Sequence, residues 1–177
     1  VREARAIFEE TPTAQNRMRL ASALLEIGQA EEAATHYESS LHGLFADDPE
    51  IRFGAARAYT QCQNFSAALR HLESLRSEKP DFRAEAVSLL LARCYAGTSR
   101  VAEARSEFQS AEVRFGTYEA KAEYAIWALA IGDQSTAQRL DADLEKMASR
   151  WNSLTRELNG EATRRYQAAK ELAKRGL

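Results

Sequence analysis

The sequence predicts an all-α chain built from helical hairpins stacked into a solenoid. Three observations carry this reading. Helix formers dominate, with 33 Ala and 18 Leu against 9 Val plus Ile in 177 residues, and β-branched residues are the ones strands favour. Helix breakers are few, 3 Pro and 8 Gly, so long helices can run without interruption. The third observation is an internal repeat. The stretches AEEA, FSAA, VAEA and QSTA end at Ala33, Ala68, Ala104 and Ala137, spaced by 35, 36 and 33 residues.

The neighbours of each repeated Ala keep the same order. Twelve residues earlier stand Ala21, Ala56, Ala92 and Ala125, and nine earlier Leu24, Tyr59, Tyr95 and Ala128. Five earlier stand Gly28, Gln63, Ser99 and Gly132, and four later Tyr37, Leu72, Phe108 and Asp141. A small residue with a larger one three or four away marks one face of a helix. Each period therefore reads as two helices around a break, at which Gly can adopt the left-handed conformation that ends a helix. A lone hairpin cannot bury its apolar face, so each must stack on the next.

In chain order, residues 1–12 read as the second helix of a partial repeat. Val1-Arg2-Glu3-Ala4 with Phe8 echoes Val101-Ala102-Glu103-Ala104 with Phe108, and Pro12 ends it. Residues 14–48, 49–84, 85–117 and 118–149 read as four hairpins. Asp47 or Asp48 is expected to cap the helix that opens at Pro49. The fourth copy is the weakest, because Asp141 falls where a large apolar residue is expected. Residues 150–177 carry seven basic and three acidic side chains, a net +4 against −6 for the rest of the chain. Leu154, Leu158, Ala162, Tyr166, Ala169 and Ala173 recur there at spacings of three and four. That is a basic amphipathic helix with a bend at Asn159-Gly160, expected to cap the stack.

These positions together resemble the tetratricopeptide repeat, a helix-turn-helix unit of about 34 residues. The copy from Pro49 to Pro80 matches best, with Ala56, Tyr59, Phe65, Ala68 and Pro80 in register. The resemblance covers roughly Ala14 to Ser149 and implies a right-handed superhelix whose first helices line a concave groove. Family members bind peptides or proteins there. By helical phase the groove would present Met18, Ser22 and Leu25, then Phe53, Arg57 and Thr60. Leu89, Arg93 and Ala96 would follow, and last Ala122, Ile126 and Leu129. Arg57 and Arg93 occupy equivalent places and could grip a carboxylate or phosphate; Phe53 and Leu89, one turn earlier, could hold apolar side chains. Together they suggest a segment with an acidic or carboxylate end beside an apolar anchor. The family's carboxylate-gripping members use Lys and Asn at matching places, which here hold Met18, Ser22, Phe53 and Leu89. The competing expectation is that Arg57 and Arg93 pair with acids on adjoining helices, such as Glu50 or Glu123.

Catalysis has no platform in this sequence. It lacks a Gly-rich phosphate loop, a Gly-x-Ser-x-Gly elbow, an HExxH and a CxxC pair. The expectation is a non-enzyme without cofactor or metal. His36, His42 and His71 read as polar residues on second helices, and Cys62 and Cys94 as small buried hydrophobes. Asp141 and Asp143 read as a solvated face. A near-neutral net charge of −2 gives no support for nucleic-acid binding. No run of about 18 apolar residues is present. Two thiols fit a reducing compartment, hence the cytoplasm. The opening in mid-repeat resembles divergent bacterial tetratricopeptide proteins in which an apolar segment precedes the repeats. That resemblance implies a membrane-anchoring segment ahead of Val1 and a tether to the cytoplasmic face of the inner membrane. The alternative to a binding scaffold is an assembly module that self-associates, or docks at a membrane surface, through its basic C-terminal helix.

Overall fold

The computed structural model of the chain describes residues 1–175. Gly176 and Leu177, the last two residues of the segment expected to form a helix, lie outside the described residues. Among the described residues there are eleven α-helices and no strand: α1 (Arg2–Glu10), α2 (Ala14–Glu26), α3 (Ala30–Glu38), α4 (Pro49–Gln61), α5 (Phe65–Glu78), α6 (Ala84–Gly97), α7 (Val101–Phe115), α8 (Tyr118–Ala130), α9 (Gln134–Ala148), α10 (Ser153–Leu158) and α11 (Gly160–Lys174). A short 3-10 turn, Gly43–Phe45, precedes α4. The chain divides into two compact units, residues 1–104 and 105–177.

Within the first unit, α1 packs on α2, α2 on α3, α3 on α4, α4 on α5 and α5 on α6. The repeated small positions make this close approach possible. Ala21, Ala56 and Ala92 are wholly buried, as are Ala33, Ala68 and Ala104. Gly54 of α4 and Gly97 of α6 have the tightest fits, since a methyl group there would fall inside the Tyr37 ring of α3 and the Phe65 ring of α5. In the second unit, α8 packs on α9 and α11 packs on α8. Phe108 stacks on Tyr124 at 5.7 Å and lies 5.3 Å from the Trp127 ring.

The break between the two helices of each repeat is one backbone motif used four times. Gly28, Gln63, Ser99 and Gly132 all have positive φ, +84°, +61°, +60° and +73°. The next residue's N–H donates to the carbonyl five residues back: Gln29 to Leu24, Asn64 to Tyr59, Arg100 to Tyr95 and Asp133 to Ala128, at 2.8–2.9 Å. The N–H of the turn residue donates three back, at 3.1–3.2 Å. This double bond pattern is the Schellman closure of a helix.

Helix starts are set by side-chain caps. Thr13, Asp48, Asn64, Thr117, Asp133 and Asn152 each accept a backbone N–H of the first turn. Asp48 is the cap ahead of Pro49, accepting from Glu50 and Ile51 at 2.9 and 3.1 Å. Its neighbour Asp47 is instead taken by Arg52. His42 departs from expectation: it lies between α3 and the 3-10 turn, outside any second helix.

Candidate functional site

The first-helix face of residues 1–104 is built by α2, α4 and α6. Arg57 is exposed on α4 and forms no ion pair among the described residues. The phenol of Tyr37 sits near it. Burial raises the Tyr37 pKa, opposed by Ser22 and by the positive charge of Arg57. Ser22 is exposed on α2, and Met18, one turn earlier, is half-buried against the core. Arg93 is half-buried on α6 and engaged in an interaction of its own.

Phe53 and Leu89 are less available than their helical phase suggests. They are 7% and 5% exposed. Phe82, just before α6, meets the Phe53 ring edge-on at 6.1 Å. Arg83 lies over Phe53 at 5.2 Å and over Phe82 at 5.7 Å, while its guanidinium donates to both oxygens of Glu50 at 3.1 and 3.0 Å. Glu50 is therefore held by Arg83, a residue from the loop before the next helix. Leu25 is buried as well, and Thr60 is half-buried with its hydroxyl 3.3 Å from Cys94 Sγ.

In the second unit, Ile126 and Leu129 are half-buried and Ala122 is wholly buried. The dominant feature there is ionic. Arg165 of α11 reaches Glu119 at 2.6 Å and also pairs with Glu123, which is 5% exposed. The Nε of Arg165 is buried without a hydrogen-bond partner. Sequence spacing does not show this cluster, because its members lie 42 and 46 residues apart.

Asp141 is corrected from a solvated face to a structural anchor, while Asp143 is paired but stays exposed to solvent. The Tyr166 hydroxyl donates to Asp141 at 2.7 Å and Lys170 does so at 2.6 Å. Asp143 accepts from Lys121 at 2.8 Å, and Lys121 also reaches Glu112. Glu112 takes both guanidinium nitrogens of Arg139. The acid that breaks the repeat pattern at Asp141 thus receives the polar side chains of α11.

The remaining singled-out residues carry structural contacts. His71 stacks on Tyr59 at 5.8 Å and pairs with Glu38 at 3.1 Å. His36 meets Phe8 edge-on. Cys62 and Cys94 are unbridged, and burial pushes the Cys94 thiol up. Among the described residues no group of three or more His, Cys, Asp or Glu could hold a metal. No helix among them is long and apolar enough to cross a membrane.

The family model described as tetratricopeptide repeat matches residues 24–90, from within α2 into α6. The crystal structure of TTC0263, a thermophilic tetratricopeptide repeat protein of Thermus thermophilus, is 19% identical, with a TM-score of 0.48. That match covers 90% of this chain and 100% of the other. No curated protein matches the chain. Residues 24–90 match the tetratricopeptide repeat model, and the same joint geometry recurs at Gly28, Gln63, Ser99 and Gly132.

Proposed function

We propose that the chain is a non-catalytic scaffold that takes a peptide or protein segment on the first-helix face of residues 1–104. Tetratricopeptide repeats, whose family model matches residues 24–90, are generally protein–protein interaction modules. Arg57 is the centre of the proposed binding surface. It is an exposed guanidinium without an ion pair among the described residues, beside the Ser22 hydroxyl and the Tyr37 phenol. A cation flanked by hydroxyl donors suits a carboxylate, whether an acidic side chain or a chain terminus. Arg93, one repeat further on and already engaged in an interaction of its own, adds positive charge to this face, and Met18 adds apolar surface. Phe53 and Leu89 act as the floor of this face rather than as open pockets. The two unbridged cysteines fit a reducing compartment, which we take to be the cytoplasm.

The test is fluorescence anisotropy with labelled acidic peptides, each carrying a free or an amidated C-terminus. A charge-assisted hydrogen bond of this kind predicts a loss of about ten- to hundredfold in affinity for Arg57→Glu, with the melting temperature unchanged. Equal binding by wild type and Arg57→Glu would sink the reading.

A second reading, assembly through the chain ends, is favoured by one observation. Leu154 and Leu158 of α10 are among the most exposed large apolar residues in the described chain.

A further inference from the structure

The outer side of α8 carries charge where a helix lies on it. At about 100° per residue, Glu119 and Glu123 fall opposite Ala125 and Ala128, which are wholly buried. In the first unit, α4 packs on α3, the second helix before it, and α6 packs on α5 in the same way. A further first helix would lie on α9. Helix α11 instead packs on α8, and reaches Asp141 of α9 with the tips of Tyr166 and Lys170. It thus covers the outer side of a first helix. In register, this is the side on which α4 carries the exposed Arg57.

The seat of α11 is specific but lightly held. Of its fifteen residues only Ala162 and Tyr166 are buried, against eight of thirteen in α8. The rest of the grip is ionic: Arg165 to Glu119 and to the buried Glu123, and Lys170 to Asp141. An ion pair taken out of water gains little net stability, because desolvation offsets the attraction, yet it selects a matching partner. Arg165 Nε, buried without a hydrogen-bond partner, adds a cost to the seated state. The approach is weakly anchored too. Helix α10 buries no residue, and α11 starts at Asn159 without a side-chain cap.

We propose that the outer side of α8 is a binding surface for a basic amphipathic helix of a partner protein, with α11 as the chain's own occupant, displaced when the partner binds. Helix α11 shows the chemistry the surface selects. A small residue comes first, with Arg three residues on, Tyr four on and Lys eight on, as at Ala162, Arg165, Tyr166 and Lys170. A second copy would offer the same helix and so only the same contacts, at the entropic cost of association. A partner helix wins by burying more apolar surface than Ala162 and Tyr166 do. When α11 lifts, water reaches Glu119 and Glu123, so no charge is stranded. The surface lies within residues 105–177 and does not depend on the Arg57 reading; Arg57→Glu leaves it intact.

Fluorescence anisotropy tests it, with a labelled synthetic peptide of residues 159–175 added to the full chain. In the wild type the tethered α11 competes, and apparent affinity falls with the fraction of time the surface is vacant. Arg165→Glu in the chain repels α11 from Glu119 and Glu123 without altering the surface, and is expected to tighten peptide binding by about tenfold or more. Arg165→Gln, a milder change, is expected to act in the same direction. The same peptide carrying Arg165→Glu is expected to bind none of these chains. Hydrogen exchange of the wild type needs no variant: the amides of α11 are expected to exchange as a unit, about tenfold or more faster than those of α8 and α9. Peptide binding that is absent from every chain, or equal in wild type and Arg165→Glu, overturns the proposal. So does an α11 that exchanges as slowly as α8. Wild-type dimers that swap α11 and resist the peptide overturn it as well, since the occupant is then a second copy.

Discussion

At the scale of single residues, the four turn positions carry the clearest physical signal. Gly28 and Gly132 occupy left-handed backbone without penalty, whereas Gln63 and Ser99 hold the same conformation with a side chain. A non-Gly residue there costs roughly 1–2 kcal/mol, partly offset by its lower unfolded-state entropy. Gln63→Gly and Ser99→Gly are each expected to stabilise the protein by about 0.5–1 kcal/mol, read as a shift in the denaturant midpoint. The opposite holds at Gly54, where a methyl group would collide with the Tyr37 ring. Gly54→Ala is expected to destabilise by roughly 1–3 kcal/mol, despite the higher helix propensity of Ala. Chemical denaturation followed by circular dichroism separates packing from propensity at this site. Most turn and small-residue positions were legible because they repeat within a short span of sequence. The burial of Phe53 was not, since its cover, Phe82 and Arg83, comes from an irregular loop.

At the scale of elements, α11 shows how a polar residue can do the work of an apolar one. Asp141 stands where Tyr37, Leu72 and Phe108 stand in the earlier repeats, and it binds Tyr166 and Lys170. The pattern alone would make Asp141→Leu a repair. The structure predicts damage, because the change leaves the Lys170 ammonium and the Tyr166 hydroxyl without their acceptor. A loss of about 1–3 kcal/mol is expected, and Asp141→Leu with Tyr166→Phe and Lys170→Met should recover part of it. Thermal melts of the single and triple variants would decide. The sequence hid this role because the donors lie 25 and 29 residues downstream, too far for any local period to reveal.

At the scale of the whole molecule, Glu112 and Asp141, the partly buried carboxylates with lowered pKa, both lie in the second unit, whereas the lowered carboxylates of the first, Glu78 and Glu103, are exposed. In the second unit, burial works against the Asp141 carboxylate, but the Lys170 and Tyr166 hydrogen bonds hold it below the usual carboxylate range. Arg139 first, and then Lys121, lower Glu112; Arg105, ahead of Thr136, lowers Asp133. A carboxylate with a lowered folded-state pKa contributes stability that is present above its unfolded value, near 4. That contribution is lost as pH falls through the lowered values. Both tryptophans, Trp127 and Trp151, lie in this unit, so their fluorescence reports on it alone. On acidification below about pH 4, the fluorescence melting transition is expected to drop by more than the helicity transition. Coincident shifts in the two signals at every pH would contradict the prediction.

The four Schellman joints have a consequence for how such a chain can change length. The same φ sign and the same pair of hydrogen bonds recur with Gly, Gln, Ser and Gly at the turn. The joint is therefore written in the backbone, and any hairpin bounded by two of them presents interchangeable ends. Duplicating one period, from Gln63 to Thr98, would insert a whole hairpin without moving a side chain out of phase.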